Sequence, residues 1–423
     1  MYQSFFYEKY FKRYLLERTE LFFYMITCPI FPTKRRSPLH ITVALAIVMV
    51  AVLLAAGCNQ GKYAQEQDIE IVKIGSNGTV SWNTTIDYGN DEEMRDIIEM
   101  DDEGFIIAGG SSPIRDCIGY STPEPPGYVP TPREAQLIGL SGTGEILWYR
   151  NYSINGDGGM KSVFKNPDQT LEAISALGEL WHLQSDGSIK THRSVNISQI
   201  NSAIKTRDGG YVIVGSNITR LDSDGTKLWD VWFDNSQFNK FTPVVELPEN
   251  HGFLFGASYY NESDQKTHIF TIKLSSMGKL ITETPVAELK ILYSDYVLQQ
   301  VSDGYILSYI EGYPPSGPLI KGVIIDSQGN VTSSGSINNL ESVFIPTNGG
   351  GFLTIRLPQF YADEISVYKE IEIKKIDKDG IDEWKNTEIK KRIDEWTIKK
   401  VIQTSDDGFV IMVAKKKMSK CKS

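Results

Sequence analysis

The residues of this chain with the types and spacing for chemistry are few and scattered. Five histidines (His40, His182, His192, His251 and His268) share no short spacing, and the four cysteines (Cys28, Cys58, Cys117 and Cys421) form no Cys-x-x-Cys pair. His-Glu-x-x-His, Gly-x-Ser-x-Gly and a glycine-rich phosphate loop are all missing, which removes the usual zinc-protease, α/β-hydrolase and nucleotide readings. Asp222-Ser223-Asp224-Gly225 and Asp377-Lys378-Asp379-Gly380 begin like a calcium loop. Both lack a third acidic ligand and the distal glutamate, and both fall where a hairpin must turn. The expectation is no catalytic residue, no metal site and no cofactor. What remains suits recognition: the acids Asp87, Asp91, Glu92, Asp157 and Asp234, and the aromatics Tyr120, Tyr128, Tyr260, Tyr313, Phe360 and Tyr361.

Charge narrows the partner. The formal net charge of −10 conceals basic ends. Residues 58–414 alone carry 31 basic and 50 acidic side chains. An acidic body repels phosphate backbones, so nucleic acid is excluded as a partner. The run KKKMSKCKS at 415–423 reads as a solvated, disordered basic tail.

The elements that must position the candidate residues come from two interleaved repeats. Gly-x-x-x-Trp recurs at Gly78/Trp82, Gly144/Trp148, Gly225/Trp229 and Gly380/Trp384, with degenerate copies at Gly187/Thr191, Gly278/Thr282 and Gly329/Ser333. Between them, glycine precedes an aromatic and an apolar strand at Gly104, Gly210, Gly252, Gly304, Gly351 and Gly408. Asp-Gly and Gly-Gly between alternating apolar runs are hairpin signals, because glycine supplies positive φ. Each unit therefore reads as four short strands, A to D. Six complete units lie between residues 94 and 389; the chain begins with C and D and ends with A and B. The two halves sum to a seventh unit, which predicts a closed ring without exposed sheet edges. The fixed place of the repeat tryptophans assigns them to packing between blades. Trp181, Trp232 and Trp396 fall outside that register and are freer.

The unit Tyr211–Gly215, followed by Asp222, Gly225 and Trp229, resembles the pyrroloquinoline-quinone-like family of β-propeller repeats. The likeness covers about residues 69–414 and is weak at 160–195, where Gln169-Thr170-Leu171 replaces Gly-Gly-aromatic. It implies an all-β, seven-bladed propeller of four-stranded antiparallel blades, the closing blade shared by N- and C-terminal strands. Quinone-dependent members typically carry adjacent cysteines; this chain has no Cys-Cys pair, so the resemblance does not extend to the cofactor.

The N-terminal region gives an address. Lys34-Arg35-Arg36 precedes an apolar run at 39–57, the layout of an export signal. Leu54-Ala55-Ala56-Gly57-Cys58 then looks like a lipobox, which implies lipidation of Cys58. An uncleaved signal anchor is the alternative, and either places the remainder outside the cytoplasm. The expected organisation is a cytoplasmic tail plus signal at 1–57, lipidated cysteine and linker at 58–68, propeller at 69–414 and basic tail at 415–423. Seven Asn-x-Ser/Thr sites (Asn77, Asn83, Asn151, Asn196, Asn217, Asn261 and Asn330) fit a surface protein.

In such a blade the A–B and C–D turns share one side and the B–C and D–A loops the other. The first kind is tight and glycine-bearing in nearly every unit, while the second is long and variable, so the B–C/D–A side is the expected working face. The insertion at 111–134 carries six prolines, which favour extended structure presenting Tyr120 and Tyr128. A tolerated surface insertion is the other reading of that segment. The sequence thus points to a membrane-tethered, non-enzymatic module binding a protein or glycan. The alternatives are a scaffold lipoprotein of a membrane assembly and, less favoured, a propeller hydrolase or oxidoreductase using the loop carboxylates.

Overall fold

Short runs of β-branched and aromatic residues, cut by Asp-Gly and Gly-Gly, favour pairing as strands. The computed structural model describes residues 63–113, 134–153, 158–197, 199–233, 240–290, 296–301, 304–312, 319–336, 343–349, 351–356, 368–379, 381–387, 390–392 and 396–420. Strand follows strand along these residues, and the only helical segment among them is a 3-10 turn at Pro248–Asn250.

Blade I runs Asn90–Glu99 (A), Phe105–Pro113 (B), Glu134–Leu140 (C) and Ile146–Tyr152 (D), hydrogen-bonded in that order. Blades II to VI repeat it, with strand A opening at Met160, Ser202, Lys240, Tyr296 and Val343. The chain is a seven-bladed β-propeller of antiparallel sheets, as the repeats predict. The weak unit at 160–195 is nevertheless a full blade (II): Gln169 adopts φ 64° where the equivalent Gly209 of blade III adopts 84°. Blade IV departs in strand A, which splits into Lys240–Phe241 and Val245–Glu246. Pro243 has no amide for the ladder, and Thr242 Oγ1 accepts the Gly256 amide at 2.8 Å instead.

Blade VII is built from both ends of the chain: Trp396–Gln403 (A), Phe409–Lys420 (B), Tyr63–Ile74 (C) and Val80–Ile86 (D). Its central pair runs without a slip from Ile74↔Phe409 to Tyr63↔Lys420. Two expectations are corrected here. Residues 415–420 continue strand B rather than starting a disordered tail, and residues 63–68 are strand C rather than linker. In that register Asp68 stands opposite Lys415. Opposite charges across a ladder favour pairing. The expectations for residues 1–62, including the signal and Cys58, lie outside the described residues.

The core is distributed between blades. One cluster joins blades VII and I through Ile71, Ile97, Ile107 and Met412; others join I to II, VI to VII, III to IV, IV to V and II to III. Strand B is buried on both faces, as in Tyr211–Val214, whereas the outermost strand of blade II, Ile189–Ser194, is largely exposed. Each blade therefore acts as a slab whose two faces are covered by its neighbours.

Candidate functional site

The repeat tryptophans are structural. Each indole of strand D covers the C–D turn glycine of the next blade. A methyl group added at Gly78 would lie 2.6 Å from Trp384, at Gly144 2.5 Å from Trp82, at Gly187 2.8 Å from Trp148 and at Gly278 2.6 Å from Trp229. All four glycines also hold φ between 75° and 83°, so both space and backbone require glycine. Trp82 Nε1 donates to the Gly142 carbonyl at 2.8 Å, and Trp229 Nε1 to that of Ser276 at 3.0 Å. Asp-x-Asp-Gly is likewise turn chemistry: Asp222 Oδ1 accepts the Thr226 amide at 2.7 Å, and Asp377 Oδ1 accepts those of Asp379 and Ile381. Among the described residues, no group of three or more His, Cys, Asp or Glu is placed to hold a metal.

Around the centre, strands A are locked to one another. Asp96 Oδ2 accepts the Val163 amide of blade II at 2.9 Å, and Oδ1 accepts the Ile97 amide and the Lys400 ammonium of blade VII. One carboxylate thus ties three blades. Ser162 continues the ring, with its Oγ accepting the Ala203 amide at 3.1 Å. Register slips sit beside these residues at Met94/Asp96, Met160/Ser162 and Ile398/Lys400, and such bulges re-aim side chains.

On the B–C/D–A side, the described candidates are Asp87, Asp91, Glu92 and Tyr260. The others (Cys58, Tyr120, Tyr128, Asp157, Asp234, Tyr313, Phe360 and Tyr361) lie outside the described residues. Asp87 lies in the turn between blades VII and I and Asp91 and Glu92 at the start of the strand A that follows it, while Tyr260 sits on the B–C hairpin of blade IV, opposite Thr267. Asp87 is exposed and accepts the Gly89 amide at 3.1 Å. Glu92 is fully buried beneath the turn. Burial pushes its carboxyl up to about 7, helped by nearby Asp68 and opposed by hydrogen bonds from the amides of Tyr88 and Asn90. Above it, Tyr88 packs on Tyr149 with ring centroids 4.6 Å apart. Tyr149 Oη accepts from Gln136 Nε2 at 2.6 Å, and that same nitrogen reaches Ser111 Oγ at 2.5 Å. Glu92 therefore supports the loop from below, and the neighbouring Asp87 is what solvent meets. In blade VI the B–C segment Tyr368–Glu370 pairs with the D–A segment Lys390–Arg392, which places both loop types on one side.

A second site was not legible as such. At the junction of blades II and III, Thr191 replaces the indole, and the guanidinium of Arg193 lies against Gly225 instead. Beside it opens a groove of about 510 Å³, lined among others by Asn196, Asn217, Thr226, Lys227 and Trp232. The degenerate Gly187/Thr191 copy and the out-of-register Trp232 were its only sequence signals. Trp232 is 68% exposed, whereas Trp181 is buried and stacks on His192 at 5.6 Å. The Trp396 side chain lies outside the described residues. Asn217 is buried and donates to Thr219 Oγ1 at 3.0 Å, so in the folded chain it is not placed as a glycan acceptor.

No family profile matches the chain, and no curated protein matches it. Among solved structures, a protein of unknown function from Bacteroides caccae is similar over 64% of this chain and 94% of its own, at 12% identity and a TM-score of 0.38. The Dos1 propeller is similar over 76% and 92%, at 8% identity and a TM-score of 0.42. The Neurospora crassa Pan2 WD40 domain is similar over 78% and 90%, at 9% identity and a TM-score of 0.43. At these values the likenesses carry no argument, and the architecture of this chain rests on its own seven blade sheets.

Proposed function

We propose that the chain is an extracytoplasmic, membrane-tethered propeller of the pyrroloquinoline-quinone-like repeat type that binds a protein or glycan without transforming it. The lipobox-like Leu54–Cys58 segment and the preceding apolar run support the tether and the address. The observation that carries the binding reading is the asymmetry of the ring. Glycine-bearing turns close one side in blade after blade, while the longer links gather on the other, as the Tyr368–Glu370 and Lys390–Arg392 ladder illustrates. A rigid scaffold with variable loops on one face is the arrangement proteins use for recognition.

The enzymatic alternative would use the loop carboxylates, and Glu92, poised near neutrality, is the one to consider. Its complete burial favours the supporting role, because a general acid or base must reach its substrate. Mass spectrometry of the mature N-terminus tests the tether: a lipidated Cys58 is expected, and an intact segment before it would replace lipidation by a signal anchor. Crosslinking capture on cells tests the face. Asp87→Lys with Tyr260→Ala should reduce capture, while Asp224→Lys on the opposite side should not; equal losses would overturn the assignment.

A further inference from the structure

The II–III groove borders a junction that lacks the repeat indole. At four junctions an indole from strand D fills the space above the next blade's turn glycine. At II–III that position is Thr191, and the cluster joining these blades, built on Ile174, Leu180, Tyr211 and Ile213, has no tryptophan packed against it. At the IV–V junction, where Thr282 also replaces tryptophan, Leu247 and Lys273 cover Gly329. At II–III the atoms nearest Gly225 are those of Arg193, whose buried Nε has no hydrogen-bond partner among the described residues. The groove opens beside that place, sharing Gly225 with it, and reaches to the loop-bearing side at Asn196 and Trp232.

We infer that this groove binds a neutral saccharide unit, with Trp232 as its stacking platform. The inference rests on the binding-module reading and gives it a ligand class at a separate place. The polar part of the lining is made of hydroxyls and amides, from Ser194, Asn196, Ser216, Asn217 and Thr226, beside the apolar Val195 and Ile197. The two charges it contains lie close together, Lys227 Nζ standing 3.4 Å from Asp230 Oδ2. Within the lining these two charges offset one another, with the Arg193 guanidinium at the inner end by Gly225, and the hydroxyls and amides suit a ligand rich in hydroxyl groups. The indole of Trp232 is 68% exposed, and its orientation is fixed by the bond from Nε1 to Asp230 Oδ2 at 2.9 Å. A fixed, wet indole beside hydrogen-bonding groups is matched by the sugar ring, apolar on its C–H face and polar at its edge. About 510 Å³ admits one or two such rings.

The experiment titrates the purified full-length chain with glucose, galactose, mannose, N-acetylglucosamine and the β1,4-linked disaccharides of glucose and N-acetylglucosamine. Tryptophan emission and saturation-transfer NMR are read in parallel. At least one saccharide should bind. Trp232→Ala should weaken it by about tenfold without moving the melting temperature, since the ring is exposed. Thr191→Trp, which restores the repeat indole, should abolish binding while keeping or raising the melting temperature. Binding that survives both substitutions, or no saccharide detected by either readout, overturns the inference; so does inorganic phosphate binding that Trp232→Ala removes. Cell-surface capture through Asp87 and Tyr260 is scored separately. Its loss with saccharide binding intact sinks the loop-face reading alone.

Discussion

The Nζ of Lys73 meets Oδ1 of Asp406 at 2.6 Å, joining strand C of the closing blade to the A–B turn formed by the other end of the chain. Lys73 is nearly buried and also donates to Thr404 Oγ1. Burial acts to raise the Asp406 pKa, but hydrogen bonds from Lys73, Thr404 and the Gly408 amide outweigh it and hold the carboxyl at about 2. The folded value lies below the ordinary 3.8, so the stabilisation is complete above about pH 4 and fades as pH falls toward 2. Asp406→Asn should remove that acid-limb slope and cost about 1 kcal/mol at pH 7, a figure reduced for the side chain's 54% exposure. Denaturant unfolding at pH 3 and pH 7 checks both.

Glu92 works in the opposite sense. Its carboxyl keeps a proton to about pH 7 in the fold but only to about 4.5 in the unfolded chain. This group therefore makes stability fall as pH rises from about 4.5 to 7, and leaves it reduced above. Glu92→Gln retains the oxygen that accepts the Tyr88 amide and should stabilise the protein at pH 8 by about 1–3 kcal/mol. Equal unfolding midpoints for the two forms at pH 8 would count against the burial argument.

Repeat position predicts opposite tolerances for neighbouring blades. Trp148→Ala removes an indole seated on Gly187 and should cost about 2–4 kcal/mol. Thr191→Ala, at the same place in the next unit, is exposed and should stay within about 0.5 kcal/mol. Thermal unfolding of the pair is sufficient.

At the inner ring, Asp96→Ala strips acceptors from Val163 N, Ile97 N and Lys400 together. Leaving those donors unmatched should cost about 2–4 kcal/mol. Hydrogen exchange should show the loss in the Val163 amide of blade II as well as in blade I; protection confined to a change in blade I would argue against a latch between blades.

Glycine and tryptophan spacing made the ring and its closure legible, because a turn needing positive φ and a slab needing an indole leave marks at fixed intervals. Three features left weaker marks. The Lys415–Lys420 run reads as a tail because Asp68, which stands opposite Lys415, lies at the other end of the chain. Strand A of blade IV breaks at Pro243, whose missing amide matters only once Gly256 is known to face Thr242. The groove borders a junction without its indole, and the loss of Trp at Thr191 becomes meaningful only beside Leu247, which covers Gly329 at the corresponding place. Of the loop candidates, sequence placed Asp87 and Glu92 on one turn but could not tell which faced water.

The shared closing sheet also sets an order of assembly. A ribosome releases Lys73 long before Asp406, 333 residues later, which is roughly 15–70 s at ~5–20 residues per second. Throughout that interval strand C of blade VII has a bare edge, hydrophobic at Ile69, Ile71 and Ile74. An unpaired edge is a template for another strand, so two nascent chains that meet can trade their final hairpins, each completing the other's circle as an interlocked pair.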